Sequence, residues 1–287
     1  MKKILVPTDF SAPASNALEA AVQLAKKHGA SMHLLHAVDV PSTWQDGQFS
    51  TAMLATKPTK LQHDLYPEAR ERVGAARQQL EATTMALQKR GVKSAYTLAP
   101  NAAWKEVVDA TSKLSADLVV MGTHGAGALK EAFLGSHAQR VIRHCNAPVL
   151  TIRHKWAGRA ERVALLADPM EKGTEKHLNR LMAMLEGPRT RFHLVRVNTP
   201  GRFQDTRTSF AQLEALAKKL TSAVNLHVVD HFSPHEGGID FAVGESMDMI
   251  ALITHGRTGA NSFLNPSIAE TIANQSPLPT LTLRVGA

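Results

Sequence analysis

Apolar positions in this chain fall into short, dense runs separated by longer stretches with a helical stripe. The runs in the first half are KKILVP, MHLLHAV, KSAYTLA, DLVVMG and PVLTIR. Those in the second are RVALLAD, RFHLVRV, LHVVDHF, DMIALIT and PTLTLRV. Short runs rich in branched residues predict buried strands. Between those of the first half, amphipathic stretches predict helices over about residues 15–28, 67–90, 102–114 and 136–144. Gly29 and Gly91 stand where a helix ends in a left-handed residue. Strand and helix signals that alternate predict an α/β fold, a parallel sheet with helices on both faces.

The chain also repeats itself. The stretch VVMGTHGAGALKEAFLGSHAQRVIRHCNAPVLTIR, from Val119, aligns without a gap on IALITHGRTGANSFLNPSIAETIANQSPLPTLTLR, from Ile250. Thr123-His124-Gly125 falls on Thr254-His255-Gly256, Ser136 on Ser267 and Pro148 on Pro279. KKILVPTDF corresponds to RVALLADPM, so Asp9 matches Asp168. Self-similarity at this period predicts two tandem copies of one unit, 1–155 and 156–287, joined near HKWAGRAE. Residues 39–60 interrupt the first copy as a polar insertion with Pro41, Gly47 and Pro58. Trp44, Phe49 and Met53 make it more apolar than a solvated linker, so it reads either as a lid over the end of the second strand or as cover for a domain interface.

Composition narrows the class. At 287 residues the chain is long enough for two domains, and 44% apolar with 20% charged residues is the balance of a soluble globular protein. No apolar run reaches the roughly 18 residues of a membrane span. The apolar start, Ile4–Pro7, is too short for a signal peptide, so a cytoplasmic protein is expected. Cys145 is the single cysteine, which excludes an internal disulfide and reads as an inert packed thiol. The net charge is +8, shared as 19 basic against 12 acidic residues in 1–155 and 14 against 13 in 156–287. A basic first half suits an anionic ligand or simply a basic surface. No basic run interleaved with aromatics points to nucleic acid.

The stretch MGTHGAGALKEAFLGS, 121–136, carries the candidate chemistry. It leaves a strand, places glycines at 122, 125 and 135, and closes on Ser136 before a helix. It reads either as a loop with a capping serine or as a cradle for a phosphate chain. In the second reading Gly122 lets a ligand lie against its backbone, and the helix start offers N–H donors. His124 and Lys130 lie in the same loop. In the first reading Gly122 serves close strand packing and Ser136 caps the helix. Asp9, at the end of strand one, either contacts a ribose or adenine or caps the following helix. Neither the Gly-Lys-Ser/Thr of a P-loop nor a dinucleotide-type glycine turn is present.

These residues carry a resemblance to the universal stress protein family in its tandem form. ILVPTDFS resembles that family's first strand and acidic residue, ADLVVMGTHG its fourth strand, and Gly122-x2-Gly125-x9-Gly135-Ser136 its nucleotide pattern. The resemblance implies two doubly wound units, each a five-stranded parallel sheet in order 3-2-1-4-5. It implies ATP, with magnesium or manganese as the ion that would bridge the phosphates. Carried over by position, Pro7, Thr8 and Asp9 would border the adenosine, and Val38 would offer backbone contacts to adenine. Met121 and Gly122 would meet the ribose and α-phosphate, and His124, Gly125, Gly135, Ser136 and His137 the phosphate chain. The second copy departs: Ile253 replaces Gly122 and Pro266 replaces Gly135, so poor ATP binding is expected there. The family's pairing through fifth strands implies that PVLTIR and PTLTLRV join the copies into a pseudo-dimer, and leaves open a further homodimer.

The function expected is an ATP-binding stress or signalling protein, at most a slow ATPase. Its rivals are an interaction scaffold without nucleotide and an adenylating enzyme, the latter disfavoured because VPTDFSAP stands where an SGGxDS-like loop belongs. No catalytic triad is legible. His231, His235 and Glu236 lie close in sequence, but Pro234 is expected to break any helix that would make them a zinc pair. His33 and His36 are expected on opposite faces of a strand.

Overall fold

The computed structural model describes residues 1–40, 67–101, 103–123, 135–254 and 267–285. The insertion from 41 onward, with Trp44, and the loop residues His124, Gly125, Lys130, His255, Gly256 and Pro266 lie outside the described residues.

The first half runs β1 (Lys3–Pro7), α1 (Ala12–His28), β2 (Ser31–Val38), α2 (Pro67–Lys89), β3 (Ser94–Pro100), α3 (Ala103–Lys113), β4 (Leu118–Gly122), α4 (Ser136–His144) and β5 (Val149–Ile152). The second runs β6 (Arg162–Leu166), α5 (Thr174–Leu185), β7 (Arg191–Asn198), α6 (Thr206–Ala217), β8 (Val224–Asp230), α7 (Pro234–Gly244), β9 (Met249–Thr254), α8 (Ile268–Gln275) and β10 (Thr280–Arg284). All ten strands form one sheet, in order β3-β2-β1-β4-β5-β10-β9-β6-β7-β8. Neighbours within each half are parallel, and the central β5–β10 pair is antiparallel, with Leu150 opposite Leu281.

Two apolar layers follow from strand alternation. Ile4, Val6, Val120, Leu165 and Leu283 point to the face that carries α1, α2, α5 and α6. Leu5, Val119, Met121, Ala164 and Ile250 point to the face that carries α3, α4, α7 and α8. Central strands are buried on both sides, which is why they read as unbroken apolar runs. The edge strands β3 and β8 are only half-buried and alternate more weakly.

Helix α1 begins earlier than the apolar stripe predicts. Ser11 Oγ accepts from the Ala14 N–H at 3.4 Å, and Pro13 fits the first turn, where no intrahelical donor is needed. Gly29 ends it in a left-handed conformation, φ 62°, with its N–H on the Ala25 carbonyl. Pro234 likewise opens α7 instead of breaking a helix, correcting the expectation for that segment.

The junction of the halves is reciprocal. Thr151 Oγ1 donates to the Thr280 carbonyl at 3.2 Å, and Thr282 Oγ1 to the Val149 carbonyl at 3.3 Å. Arg153 donates to the Asn274 carbonyl at the end of α8, and Arg284 to the His144 carbonyl at the end of α4. Each cation sits where the helix dipole is negative. Each contact has a counterpart with the halves exchanged, as a two-fold relation requires.

Candidate functional site

At the C-terminal edge of the first half, β1 and β4 lie side by side with α1 and α4 on opposite faces of the sheet, so a crevice opens where the strand order reverses. Its floor is apolar: Leu35, Val107, Met121 and Val141, with Trp104 in one wall. Its rim is polar: Thr8, Asp9, His36, Thr123 and His137, with the backbone of Gly122 and Gly135. An apolar floor with a few convergent polar groups suits a small organic ligand.

The β1–α1 turn is built by local hydrogen bonds. Asp9 Oδ1 accepts from the Ser11 N–H at 3.1 Å and from its hydroxyl at 2.5 Å, and Ser11 caps α1. Asp9 thus orders the turn while its carboxylate stays exposed at the rim. Phe10, at φ 61°, is forced into the left-handed region, and its ring lies 4.7 Å from that of His36. His36 Nδ1 is 2.6 Å from the Thr8 carbonyl, so strands one and two present one continuous rim.

Pro7, Thr8, Asp9, Met121, Gly122, Gly135 and His137 come together at this crevice. Val38 does not. Its side chain is buried in the core, and its carbonyl accepts from the Asn101 N–H at 2.9 Å. His36 and Ala37 line the crevice from strand two instead. Ser136 is the exposed first residue of α4, with Gly135 in the capping position. His36, Trp104 and Val107 were missed in the sequence. Only their closeness to strand ends marks them, and nothing in their spacing does.

Close packing at Gly122, one of the two readings of the sequence, is against the first turn of α1. A Cβ there would lie 2.8 Å from the Pro13 carbonyl carbon and 3.0 Å from the Ala14 nitrogen. The glycine therefore lets β4 pass under the first turn of α1, and its backbone faces the crevice as a by-product. In the second half α5 starts later, at Thr174, eight residues after Leu166, where Ala12 is five after Pro7. Ile253, in place of Gly122, packs into the core on that same face.

At the matching strand ends of the second half, α7 packs closely from the other face. Gly238, fifth in α7, would place a Cβ 2.5 Å from Leu166 Cδ1, and Gly237 one 2.8 Å from Val197 Cγ1. Leu166 ends β6 as Pro7 ends β1, and Val197 stands next to last in β7 as Ala37 does in β2. Two glycines let α7 lie directly on these larger side chains. In the first half, Val107 of α3 faces Pro7 and Ala37 across an open crevice.

The helix starts differ as well. Helix α8 is capped by a side chain: Ser267 Oγ accepts from the Glu270 N–H at 3.2 Å and donates to Glu270 Oε1 at 3.1 Å. Glu270 thereby places its own anion in the first turn of the helix. Helix α4 has no side-chain cap among the described residues. Its first intrahelical bond runs from the Gln139 N–H to the Gly135 carbonyl, so the N–H groups of Ser136, His137 and Ala138 precede it. The Gly135 N–H binds the Thr123 carbonyl at 2.7 Å, which brings the end of β4 and the start of α4 together beside the crevice.

Burial raises the Cys145 thiol above its usual range, consistent with an inert role. His231 and His235 each hydrogen-bond Ser233, and the described residues contain no gathered metal-ligand set. No described helix is long and apolar enough to cross a membrane.

Residues 1–153 match the model of the universal stress protein family. A universal stress protein of Methanocaldococcus jannaschii is 30% identical over 152 residues, 53% of this chain and 82% of that protein. One from Thermus aquaticus is 31% identical over 152 residues, covering 53% of this chain and 98% of the relative. Over the full length, a crystal structure of a universal stress protein from Archaeoglobus fulgidus superposes with a TM-score of 0.71 at 19% identity, covering 99% of this chain and 96% of that one. At that identity the likeness speaks to the fold.

Proposed function

The chain belongs to the universal stress protein family, and from that premise we propose that its first half binds ATP while its second half is a structural or regulatory copy of the same unit. The observation that carries this reading is the start of α4, which no described side chain caps, at an apolar-floored crevice, set against the side-chain-capped α8 and the close packing of α7 on Leu166 and Val197. An apolar floor accepts a base. The N–H groups of Ser136, His137 and Ala138, with the positive end of the α4 dipole, accept phosphate oxygens. Asp9 and Thr8 at the β1 end supply acceptors for a ribose. His124 and Gly125 belong to the same proposed phosphate loop. Magnesium or manganese would be carried by the phosphates themselves. Binding, with at most slow hydrolysis, is the activity proposed.

The test is calorimetric titration of the full chain with ATP and magnesium. One site per chain is expected. The variant Gln139→Glu, which gives α4 the acid that Glu270 gives α8, is expected to weaken ATP by at least tenfold. Absence of ATP binding by the unaltered protein would overturn the reading. A scaffold would remain, which the exposed Met170, Phe203 and Phe232 at the strand ends of the second half favour.

A further inference from the structure

Trp104 is the large aromatic wall of the first crevice. It is the second residue of α3 and partly buried. Helix α4 fixes its ring: the Arg140 guanidinium carbon lies 5.6 Å from the ring centroid, and the His144 ring 5.2 Å away at a tilt of 36°. Lys105 Nζ lies 5.7 Å from the same centroid. The indole is thus oriented before any ligand arrives, so little ordering entropy is lost when a planar group meets it. The second residue of α7, at the matching strand ends, is His235, whose ring is turned to the Ser233 hydroxyl at 2.8 Å. A wide aromatic wall is therefore specific to the half with the open crevice.

We propose that Trp104 holds the base at this site by stacking against the heteroaromatic ring of the ligand, so that a nucleotide is preferred over a bare polyphosphate. The inference rests on the nucleotide reading above and adds a residue and a selectivity to it. Lys105 and Arg140 lie over the same ring, so a base would meet the part of the indole that lines the crevice, and stacking of a base on an aromatic side chain contributes about 1–3 kcal/mol by truncation. The same helix, α4, presents its N-terminal donors to the phosphates and holds the base wall with Arg140 and His144. Base and phosphate are then read by two ends of one rigid element.

The experiment compares ATP with inorganic tripolyphosphate on the full chain, unaltered and as Trp104→Leu and Trp104→Phe. Trp104→Leu is expected to weaken ATP about tenfold or more and to leave tripolyphosphate within about twofold. Trp104→Phe is expected to recover most of the ATP affinity. A purely structural role in α3–α4 packing would weaken both ligands alike, and that result overturns the proposal. So does unchanged ATP affinity in Trp104→Leu. If the unaltered chain binds no ATP, the nucleotide reading itself fails, and the two failures are told apart by that control.

Discussion

Arg143 of the first half clasps Glu270 of the second through both carboxylate oxygens, Nη2 to Oε2 at 2.6 Å and Nε to Oε1 at 3.1 Å. Both side chains are buried, 8% and 3% exposed, so neither charge has water to fall back on. Glu270 also completes the cap of α8 with Ser267. One carboxylate therefore ties the helix start of the second half to the last turn of α4, the helix whose first turn borders the open crevice.

Breaking this pair from one side leaves a buried charge. Glu270→Gln is expected to lower unfolding free energy by about 3–5 kcal/mol. Arg143→Met combined with Glu270→Leu is expected to recover much of that loss. Urea unfolding of the single and double variants checks it, and a double variant no better than the single one would contradict it.

Gly122→Ala is expected to destabilise the protein by about 1–3 kcal/mol without any ligand, because the new Cβ meets the Pro13–Ala14 backbone. Thermal melts of the nucleotide-free protein test this. Ile253→Gly is expected to destabilise by less than the ~2–5 kcal/mol of a fully buried site, because Ile253 is only partly buried. It is also expected to create no second nucleotide site, because α7 still packs closely on Leu166 and Val197. A titration stoichiometry that rises to two per chain would refute that.

Gly238 and Leu166 are expected to be strongly coupled. Gly238→Ala drives a Cβ toward Leu166 Cδ1, and Leu166→Ala makes the room it needs. A double-mutant cycle is expected to show a favourable coupling of about 1–3 kcal/mol. Additive losses would mean that α7 shifts instead.

His193 Nδ1 lies 3.0 Å from His227 Nε2 with the two rings stacked, and Phe241 meets the His227 ring at a tilt. Burial is the main cause lowering both histidines, and Arg162 works the same way on each; Arg191 and the partner ring add to it for His193, while Glu245 opposes. In the unfolded chain both take protons near their ordinary pKa of about 6.5. The folded state resists, so their stability contribution is full above that pH and is lost as pH falls toward the lowered values. His227→Thr imitates the first half, where His33 Nε2 meets Thr97 Oγ1 at 2.8 Å. It is expected to flatten the fall in stability as pH drops below about 6.5, measured by denaturation at each pH.

The sequence by itself determined the alternation of strands and helices and the strand ends at which the crevice opens. These depend on periodicity and on residues next to one another, such as Ser11 and Gly29 at the ends of α1. Tertiary structure alone decided what Gly122 is for, because the Pro13–Ala14 backbone it admits lies on another element. It alone moved the strand-two contact from Val38 to His36 and brought Trp104 into the wall. It alone packed α7 on Leu166 and Val197 through Gly238 and Gly237. Arg143 and Glu270 are 127 residues apart. A partner at that distance leaves no local pattern, because packing is set by where the chain returns and not by what stands beside a residue in sequence.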